Sequence, residues 1–326
     1  MEPNTIALRP TPVTTYPHDR YGLIRRDAAL RQGITDARRA NDVRDGQLIT
    51  LIPGVDVEPS AEFDGHDGAQ KLHRLRSIAV ATSKLATGPA LPLSHSSAAT
   101  MHGLPLLKPD LERVHVTRGA SSGGSIGTHR HVHVAPIEPT EIVTIDGVAV
   151  TSLERTAVDV ATSGTFAQAL TVFDHALRCD ADRALMHEMI VTRRRRNGVM
   201  AEQALLSANP LSGSVGESWS RAEIIVAGFT VPRLQHKIVV PSGRTYYTDF
   251  DWDWLLVGEF DGLSKYGRFR RAGESIADAV MREKRREDEI RGTGPMVARW
   301  IWADLERNAV IPMLEERLRH LGLIPR

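Results

Sequence analysis

Two apolar segments near the C-terminus carry carboxylates at positions where a buried strand is expected to be apolar. Asp249 lies within RTYYTDFDW (244–252), and Glu259 lies within LLVGEFDG (255–262). A carboxylate on an apolar strand is unfavourable unless it is paired with a positive charge or bound to a metal ion. The chain must therefore fold so that each of these side chains meets a positive partner.

The spacing of these acidic residues predicts a metal site. Asp249 and Glu259 lie near the facing ends of two strands that a short connection joins, so antiparallel pairing brings both carboxylates to one cation. Asp261 lies two residues beyond Glu259 and therefore on the same face of the strand. Carboxylate oxygens are the protein ligands of Mg²⁺. We interpret the three acidic residues as a Mg²⁺ site rather than as a structural cluster.

The length of 326 residues indicates several domains, because a single hydrophobic core stops growing at roughly 250 to 300 residues. An apolar share of 41% and a charged share of 25% are typical of globular domains and argue against long disordered regions. The net charge is only +1, so affinity for nucleic acid has to come from local clusters of basic residues.

Cysteine usage and hydropathy indicate a cytoplasmic protein. Cys179 is the only cysteine, which excludes an intramolecular disulfide and any multi-cysteine zinc site. No segment approaches the roughly 20 consecutive apolar residues that a membrane span needs. The N-terminus also lacks the apolar core of a signal peptide. We therefore expect no membrane partner.

Residues 20–60 have the pattern of a helix, a turn, a second helix and a strand hairpin, after a Pro-rich segment (1–19) that we expect to be flexible. This order predicts a winged helix-turn-helix, a module whose second helix enters the major groove of DNA. The predicted DNA contacts on that helix are Arg38, Arg39, Asn41 and Arg44. The alternative is a solvated helix face in an arginine-rich chain.

Residues 66–206 are predicted to form an α/β domain with a helical extension and no recognisable catalytic constellation. His129, His131 and His133 alternate along one strand and share a face where imidazoles can bind a transition metal. We interpret them instead as a solvated strand face. The four arginines at 193–196 either hold a phosphate backbone or end a helix. The Gly-, Ser- and Pro-containing stretch 207–216 is predicted to be a linker.

Four strings occur in order in the first two thirds of the chain: GLIRRDAALRQGITDARRANDVRDGQLITLIPGV, LSHSSAATMHGLPLL, VHVTRG and VAVTSLERTAVDVA. Together they resemble AbiEi-type proteins, the antitoxins and autorepressors of type IV toxin-antitoxin systems, over approximately residues 20–178. The resemblance implies a DNA-binding winged helix joined to an α/β antitoxin domain, with a nucleotidyltransferase-like toxin as functional partner. Asp56 departs from this family, which usually has an aromatic residue in the wing strand, and Asn41 and Asp42 make the second helix more polar than usual.

The order Asp249, Glu259-Phe260-Asp261-Gly262 and Lys265-Tyr266, preceded by a helix that carries Glu217, resembles the PD-(D/E)XK nuclease superfamily. The similarity is greatest to the Vsr-like endonuclease domains that follow AbiEi-type regions. It covers approximately residues 216–308 of a domain that we place at 217–326. The resemblance implies a restriction-endonuclease-like α/β/α fold in which Asp249 and Glu259 bind Mg²⁺ or Mn²⁺ and Glu217 closes the site.

Asp261 occupies the position where many members of this superfamily have the catalytic lysine. Lys265 is our candidate for the missing cation, because lysine occurs at only six positions in this chain. The next helix, ESIADAVMREKRREDEIR, is predicted either to contact the DNA backbone or to be a solvated face. The backbone contacts predicted there are Arg282, Lys284, Arg285 and Arg286. Asp251 and Asp253 are predicted to lie at the edge of a loop.

We therefore expect an α/β protein, of the multidomain α+β kind, with three parts. These are an N-terminal winged helix-turn-helix, a middle α/β antitoxin-like domain and a C-terminal restriction-endonuclease-like α/β/α domain. The predicted function is a DNA-binding, antitoxin-like regulator fused to a Mg²⁺-dependent endonuclease that hydrolyses phosphodiesters. The alternative is a non-catalytic autorepressor or antitoxin whose nuclease-like domain has lost cleavage.

Overall fold

The computed structural model of the chain describes residues 15–83, 91–120, 122–193, 196–262 and 275–324. Lys265, Arg194, Arg195 and most of the segment 1–19 lie outside these ranges. Helices and strands alternate along the described chain, in agreement with the predicted α/β class.

Residue contacts divide the chain into two units. The first comprises Met1–Leu93, Leu111–Ile137 and Thr144–Ala149. The second comprises Ser94–Asp110, Glu138–Val143 and Val150–Arg326. The predicted linker 207–216 lies within the second unit, between two of its helices. No helix among the described residues is long and apolar enough to span a membrane.

The first unit begins with a small sheet and two helices. These elements are β1 (Ile24–Arg25), α1 (Arg26–Arg31), α2 (Asp36–Arg44), β2 (Ile49–Ile52) and β3 (Val55–Val57). The strands have the order β1-β3-β2 and pair antiparallel. Thr35 Oγ1 accepts a hydrogen bond from the Arg38 backbone N–H (3.2 Å), so Thr35 caps the N-terminus of α2. The buried core of this part comprises Tyr16, Ile24, Ala29, Ile34 and Leu48.

The remainder of the first unit is a long helix with a second sheet. Its elements are α3 (Gly65–Ala81), β4 (Val114–Arg118), β5 (Ser125–Ile126) and β6 (Arg130–Val134). The strand order is β4-β6-β5, in which β4 and β6 are parallel and β5 and β6 antiparallel. Next along the chain, β7 (Ile142–Ile145) and β8 (Val148–Thr151) form a two-stranded sheet. Asp146 and Gly147 between them both have positive φ, which a two-residue hairpin turn requires.

Helices make up most of the second unit before residue 227. They are α4 (His95–His102), α5 (Leu153–Ser163), α6 (Phe166–Arg178), α7 (Arg183–Val191), α8 (Gly198–Ser207) and α9 (Val215–Val226). Leu170 and Phe173 of α6 are fully buried in their shared core. Arg221 on α9 donates from Nη1 to both oxygens of Asp174 on α6, at 2.9 and 2.8 Å. The two helices are therefore joined by a buried ion pair as well as by apolar packing.

The C-terminal part of the second unit contains a four-stranded sheet. Its elements are β9 (Arg233–Val239), β10 (Thr245–Trp252), β11 (Leu256–Asp261), α10 (Ile276–Arg291), β12 (Met296–Ile301), α11 (Trp302–Glu306) and α12 (Val310–His320). The strand order is β12-β11-β10-β9. Strands β9, β10 and β11 pair antiparallel, whereas β12 pairs parallel with β11 after a connection that contains α10. A parallel pair needs such a crossover.

Apolar side chains lie on both faces of this sheet. On one face, Phe250 and Trp300 pack with Ile224 of α9 and Leu314 of α12. On the other face, Ile238 and Val240 pack with Ile290 of α10. The sheet is consequently covered by helices on both sides, and this burial explains why its strands are apolar in sequence.

Candidate active site and candidate nucleic-acid surface

Asp249 lies where strands β10 and β11 separate. Their pairing runs from Trp252↔Leu256 to Phe250↔Gly258 and stops there. Asp249 Oδ2 instead accepts a hydrogen bond from the backbone N–H of Phe260, at 2.9 Å. The carboxylate of Asp249 therefore lies against the β11 backbone, at the residue that follows Glu259.

Glu217 reaches the same place from the first turn of α9. Its Oε1 accepts from Ser214 Oγ (2.9 Å), and its Oε2 accepts from the Gly213 N–H (2.6 Å). Gln235 Nε2 lies 3.4 Å from Glu217 Oε2 and also 3.4 Å from Asp249 Oδ1. One amide on β9 thus connects two of the predicted metal ligands, although the two come from different elements.

Gln235 was not among the residues predicted from the sequence. Its φ is +49°, in the left-handed region that non-glycine residues rarely adopt. The β9–β10 pairing passes from Thr248↔His236 to Phe250↔Leu234, so Gln235 is an irregular position within β9. Such strain costs of order 1–3 kcal/mol and is concentrated at functional sites. The only sequence signal is a polar residue inside a strand, which by itself does not distinguish a site from a surface.

Glu259 is held by arginines. Arg286 on α10 donates from Nη1 to Glu259 Oε2 (2.7 Å) and from Nη2 to Oε1 (2.8 Å). Arg299, its register neighbour on β12, lies 3.6 Å from Oε2. The carboxylate is only 4% exposed, so these contacts supply the positive partner that the buried position requires. Arg286 is half-buried and its guanidinium is paired with Glu259, in contrast to its predicted role at the DNA backbone.

Two further acidic residues, Asp261 and Asp251, have different surroundings. Asp261 is the last residue of β11 and is half-buried, two residues from Glu259 as the strand period requires. Asp251 was predicted to edge a loop, but it is buried on β10. Its carboxylate accepts from Arg233 Nη2 (2.6 Å), from the Trp254 N–H (2.8 Å) and from His236 Nδ1. Asp251 is therefore a structural ion-pair residue, and the loop-edge prediction is wrong for it.

The carboxylates differ in how well they fit a hard cation. Asp249 and Glu217 supply oxygen donors around the Gln235 amide, a ligand chemistry suited to Mg²⁺ or Mn²⁺. Both oxygens of Glu259 bind Arg286, so Glu259 has to exchange that partner before it can bind a metal ion. Among the described residues, no three carboxylates bring one oxygen each within 4.8 Å of one another. Lys265 lies outside the described residues.

Helix α10 presents part of the predicted basic surface. Lys284 and Arg285 are exposed, whereas Arg282 is half-buried. Nearby ion pairs connect Glu287 to Arg291 (2.6 Å) and to Arg299 (3.4 Å). The exposed cations on this helix are thus next to acidic residues, and two of the four predicted backbone contacts, Lys284 and Arg285, are exposed.

The predicted DNA contacts on helix α2 lie partly at the surface and partly in the core. Asn41 and Arg44 are exposed and bonded to each other, with Arg44 Nη1 donating to Asn41 Oδ1 at 3.0 Å. Arg38 is half-buried, and its Nε lies 3.6 Å from Asp42. Arg39, by contrast, is buried and cannot reach DNA from this position.

The partner of Arg39 is Asp56 on β3. Arg39 donates to Asp56 Oδ2 from both Nη2 and Nε, the latter at 3.0 Å. Thr50 Oγ1 donates to the other oxygen at 2.8 Å. Asp56 is fully buried, so the residue that departs from the AbiEi pattern is compensated by an arginine of α2. The DNA-contact prediction for Arg39 is thus replaced by a structural role.

Comparison of the sequence with family models gave no match, and comparison with curated proteins gave no significant match.

Proposed function

We propose that this protein binds DNA and hydrolyses its phosphodiester bonds at a divalent-metal site around Asp249. One observation carries the proposal. The Asp249 carboxylate lies where β10 and β11 separate, bonded to the backbone beside Glu259 and sharing the Gln235 amide with Glu217. Two acidic side chains, Glu217 of α9 and Asp249 of β10, are thereby connected through the Gln235 amide, and Asp249 also bonds the β11 backbone next to Glu259.

The site would use Mg²⁺ or Mn²⁺, with Asp249 and Glu217 as the first ligands. When bound, such an ion supplies a water of lowered pKa and positive charge beside the phosphate. Glu259 would join these ligands on releasing Arg286. The freed guanidinium would then neutralise charge on the phosphate oxygens. Lys265 is proposed as a second positive charge for the phosphate. Asp261 is proposed as a further acidic residue of the site, beside Glu259.

The arrangement of the C-terminal sheet supports a restriction-endonuclease-like domain. Its meander β9–β10–β11 is antiparallel, α10 follows, and β12 returns parallel to β11. Helices cover both faces of the sheet. This is the α/β/α layering that the resemblance to Vsr-like domains implies.

For the N-terminal part we propose an AbiEi-like, DNA-binding regulatory module of the winged-helix type. The order α1, α2, β2, β3, with β1 completing the sheet, supports it. Arg38, Asn41 and Arg44 on α2, with Lys284 and Arg285 on α10, are the proposed contacts to DNA. A nucleotidyltransferase-like toxin is the functional partner proposed for this module.

A second candidate function is a non-catalytic DNA-binding regulator. The bidentate pair of Arg286 and Glu259 favours it, because a buried carboxylate that already has two arginines does not need a metal ion. Asp261 at the usual lysine position favours it as well. In that case the C-terminal part would add only contacts to DNA or to protein.

Cleavage of supercoiled plasmid separates the two candidates. The wild-type chain is incubated with plasmid and Mg²⁺ or Mn²⁺, beside Asp249→Asn and Glu259→Gln. The matched control is Asp253→Asn, at an exposed turn position whose φ of +49° suits asparagine. We expect nicking by the wild type and the control and a loss of at least about a hundredfold in the two site variants. Intact plasmid with the wild type, or nicking that survives both substitutions, would reject the catalytic proposal in favour of the second candidate.

A further inference from the structure

Three histidines converge on the second sheet of the first unit. Strands β4 and β6 are parallel neighbours whose register pairs His115 with His131 and Thr117 with His133. Side chains alternate between faces along a strand. Val116 and Val132 are buried, whereas His115, His131 and His133 are half-buried. His115 and Thr117 therefore share one face of β4, and His131 and His133 share one face of β6.

The imidazole rings are close to one another. The centroid of His131 lies 3.9 Å from that of His133, and His115 lies 5.2 Å from His131 and 5.0 Å from His133. His115 Nδ1 lies 2.8 Å from His133 Nε2. His131 and His133 therefore do not form the solvated strand face that the sequence analysis favoured. Sequence reasoning also missed His115, because its proximity arises only from the β4–β6 pairing, and it included His129, which is exposed.

A buried hydroxyl beside this cluster provides a second, independent observation. Thr117 is fully buried, and its Oγ1 has no hydrogen-bond partner among the described residues. A buried polar group without a partner costs about 1–3 kcal/mol. Thr117 lies two residues from His115 on the same strand face and opposite His133 in the register. Its oxygen is therefore available to a ligand that the imidazoles hold, such as a metal-bound water.

We propose that His115 and His133, on whose ring His131 stacks, bind a transition-metal ion of the Zn²⁺, Ni²⁺ or Cu²⁺ class. Imidazole nitrogens suit these ions, whereas Mg²⁺ and Ca²⁺ prefer oxygen ligands. At Zn–N bond lengths of about 2.0–2.1 Å, two ligands in a tetrahedral site have nitrogens about 3.3 Å apart. The 2.8 Å separation of His115 Nδ1 and His133 Nε2 needs only a small side-chain rotation to reach that value. The ion replaces the hydrogen bond between these nitrogens and joins β4 to β6.

This site is independent of the proposed hydrolytic site. Its ligands belong to the first unit, whereas Asp249, Glu217 and Glu259 belong to the second. The two also differ in ligand chemistry, nitrogen in one and oxygen in the other. Loss of one site therefore leaves the other unaffected.

Titration of the full-length chain with Zn²⁺ tests the proposal. The protein is freed of metal with a chelator, carries no histidine tag, and is titrated in a calorimeter. We expect the wild type to bind one Zn²⁺ tightly and to unfold at a higher temperature when it is loaded. His115→Gln and His133→Gln should each weaken binding by at least about tenfold, since each removes a ligand. His129→Gln, at the exposed position before β6, should bind like the wild type.

Two results would overturn the proposal: no Zn²⁺ uptake by the wild type, or equal uptake by the His115→Gln and His133→Gln variants. X-ray absorption of the Zn²⁺-loaded wild type provides a test that does not depend on the folding of a variant. The proposal requires at least two imidazole nitrogens around the ion. A coordination sphere made only of oxygen would contradict it.

Discussion

At the scale of single residues, the main finding concerns charged side chains that pair inside the protein. Arg39 binds Asp56, and Arg286 binds Glu259. Both arginines had been predicted to contact DNA, because an arginine on a helix is usually exposed. A buried carboxylate attracts the nearest guanidinium, since an unpaired charge in the interior is very costly. The pairing depends on residues that are close only in the folded chain, so no local sequence pattern around either arginine predicts it.

Arg39→Ala should destabilise the first unit strongly. It leaves the fully buried Asp56 without its charged partner, and breaking a buried pair from one side costs about 3–5 kcal/mol. Arg38→Ala is the matched control, one position earlier on the same helix, and its partly exposed contact to Asp42 is worth less than about 1 kcal/mol. Urea denaturation measures both variants. Equal losses in the two variants would show that the Arg39–Asp56 pair does not stabilise the fold.

Arg38 and Arg44 belong to the proposed DNA surface, and salt dependence tests their role. Replacing both with alanine should reduce the slope of log affinity against log salt by roughly one unit per lost phosphate contact. Arg319→Ala on α12 provides the control, since α12 takes no part in the proposed DNA surface. Binding is measured by fluorescence anisotropy at several salt concentrations. A slope that is unchanged in the double variant would place the DNA surface elsewhere.

Arg286→Ala separates a structural Glu259 from a metal-binding one. The variant should lose about 3 kcal/mol of unfolding free energy, since among the described residues Glu259 keeps only the more distant Arg299. If Glu259 takes part in a metal site, millimolar Mg²⁺ should raise the melting temperature of the variant more than that of the wild type. A Mg²⁺ effect of the same size in both proteins would identify the pair as structural.

At the scale of elements, the sequence predicted much of the order of helices and strands. The helical spacing of Phe166, Leu170, Phe173 and Leu177 predicts a helix from Phe166 to Arg178, and α6 spans that range. The sequence also predicts one final helix from Ala303, whereas the structure divides this segment into α11 and α12, with Asn308 at positive φ between them. Helix α8 was not predicted, because GVMAEQALLS follows an arginine run and has no clear apolar face. Helices with a clear apolar period could therefore be predicted from the sequence. Helix breaks and weakly amphipathic helices could not, because they depend on contacts with the rest of the fold.

The candidate site was predictable only in part, for the same reason. Asp249 and Glu259 were predicted because a carboxylate within an apolar strand is unusual, whereas Glu217 was implied only by the resemblance to PD-(D/E)XK nucleases. Gln235 was missed, since its importance arises from a backbone irregularity that brings its amide to two carboxylates. Backbone strain of this kind is imposed by the surrounding fold, so the spacing of residues in the sequence does not predict it.

The contact of α9 with β11 depends on Gly216. A Cβ at this position would overlap the Phe260 ring, so Gly216→Ala should cost about 1–3 kcal/mol through overpacking. Gly198→Ala is the control, because that glycine in the first turn of α8 has no heavy atom within 4 Å of an added Cβ. Alanine there should be neutral or stabilise by up to about 1 kcal/mol. Chemical denaturation of both variants measures the difference, and equal effects would contradict the close approach of α9 and β11.

At the scale of the whole molecule, stability should depend on pH through two histidines of the second unit, the half-buried His102 and the buried His175. Burial lowers the pKa of His102 and of His175 from the ordinary value of 6.5. Above that ordinary pKa each ring is neutral in the folded chain, with His175 Nδ1 donating to the Thr171 carbonyl (2.9 Å) and His102 Nε2 to that of Thr151 (2.7 Å). The unfolded chain takes up protons at a higher pH than the folded chain. The contribution of these rings is therefore complete above pH 6.5 and decreases as the pH falls through that value.

The unfolding free energy should accordingly be lower at about pH 5.5 than at about pH 7.5. His175→Gln should reduce this difference, because glutamine does not titrate. His187→Gln is the control, at a half-exposed site where the ring contacts Glu202. Urea denaturation at the two pH values measures the effect. A pH dependence in His175→Gln equal to that of the wild type would show that this histidine does not contribute.

The central claim is that acidic residues from α9, β10 and β11 form a divalent-cation site, and Mn²⁺ binding tests it most directly. Electron paramagnetic resonance measures free and bound Mn²⁺ during a titration of the full-length chain. We expect saturable binding by the wild type and by Asp253→Asn, and strongly weakened binding by Asp249→Asn and by Glu217→Gln. Binding that is identical in all four proteins, or no binding by the wild type, would contradict the claim.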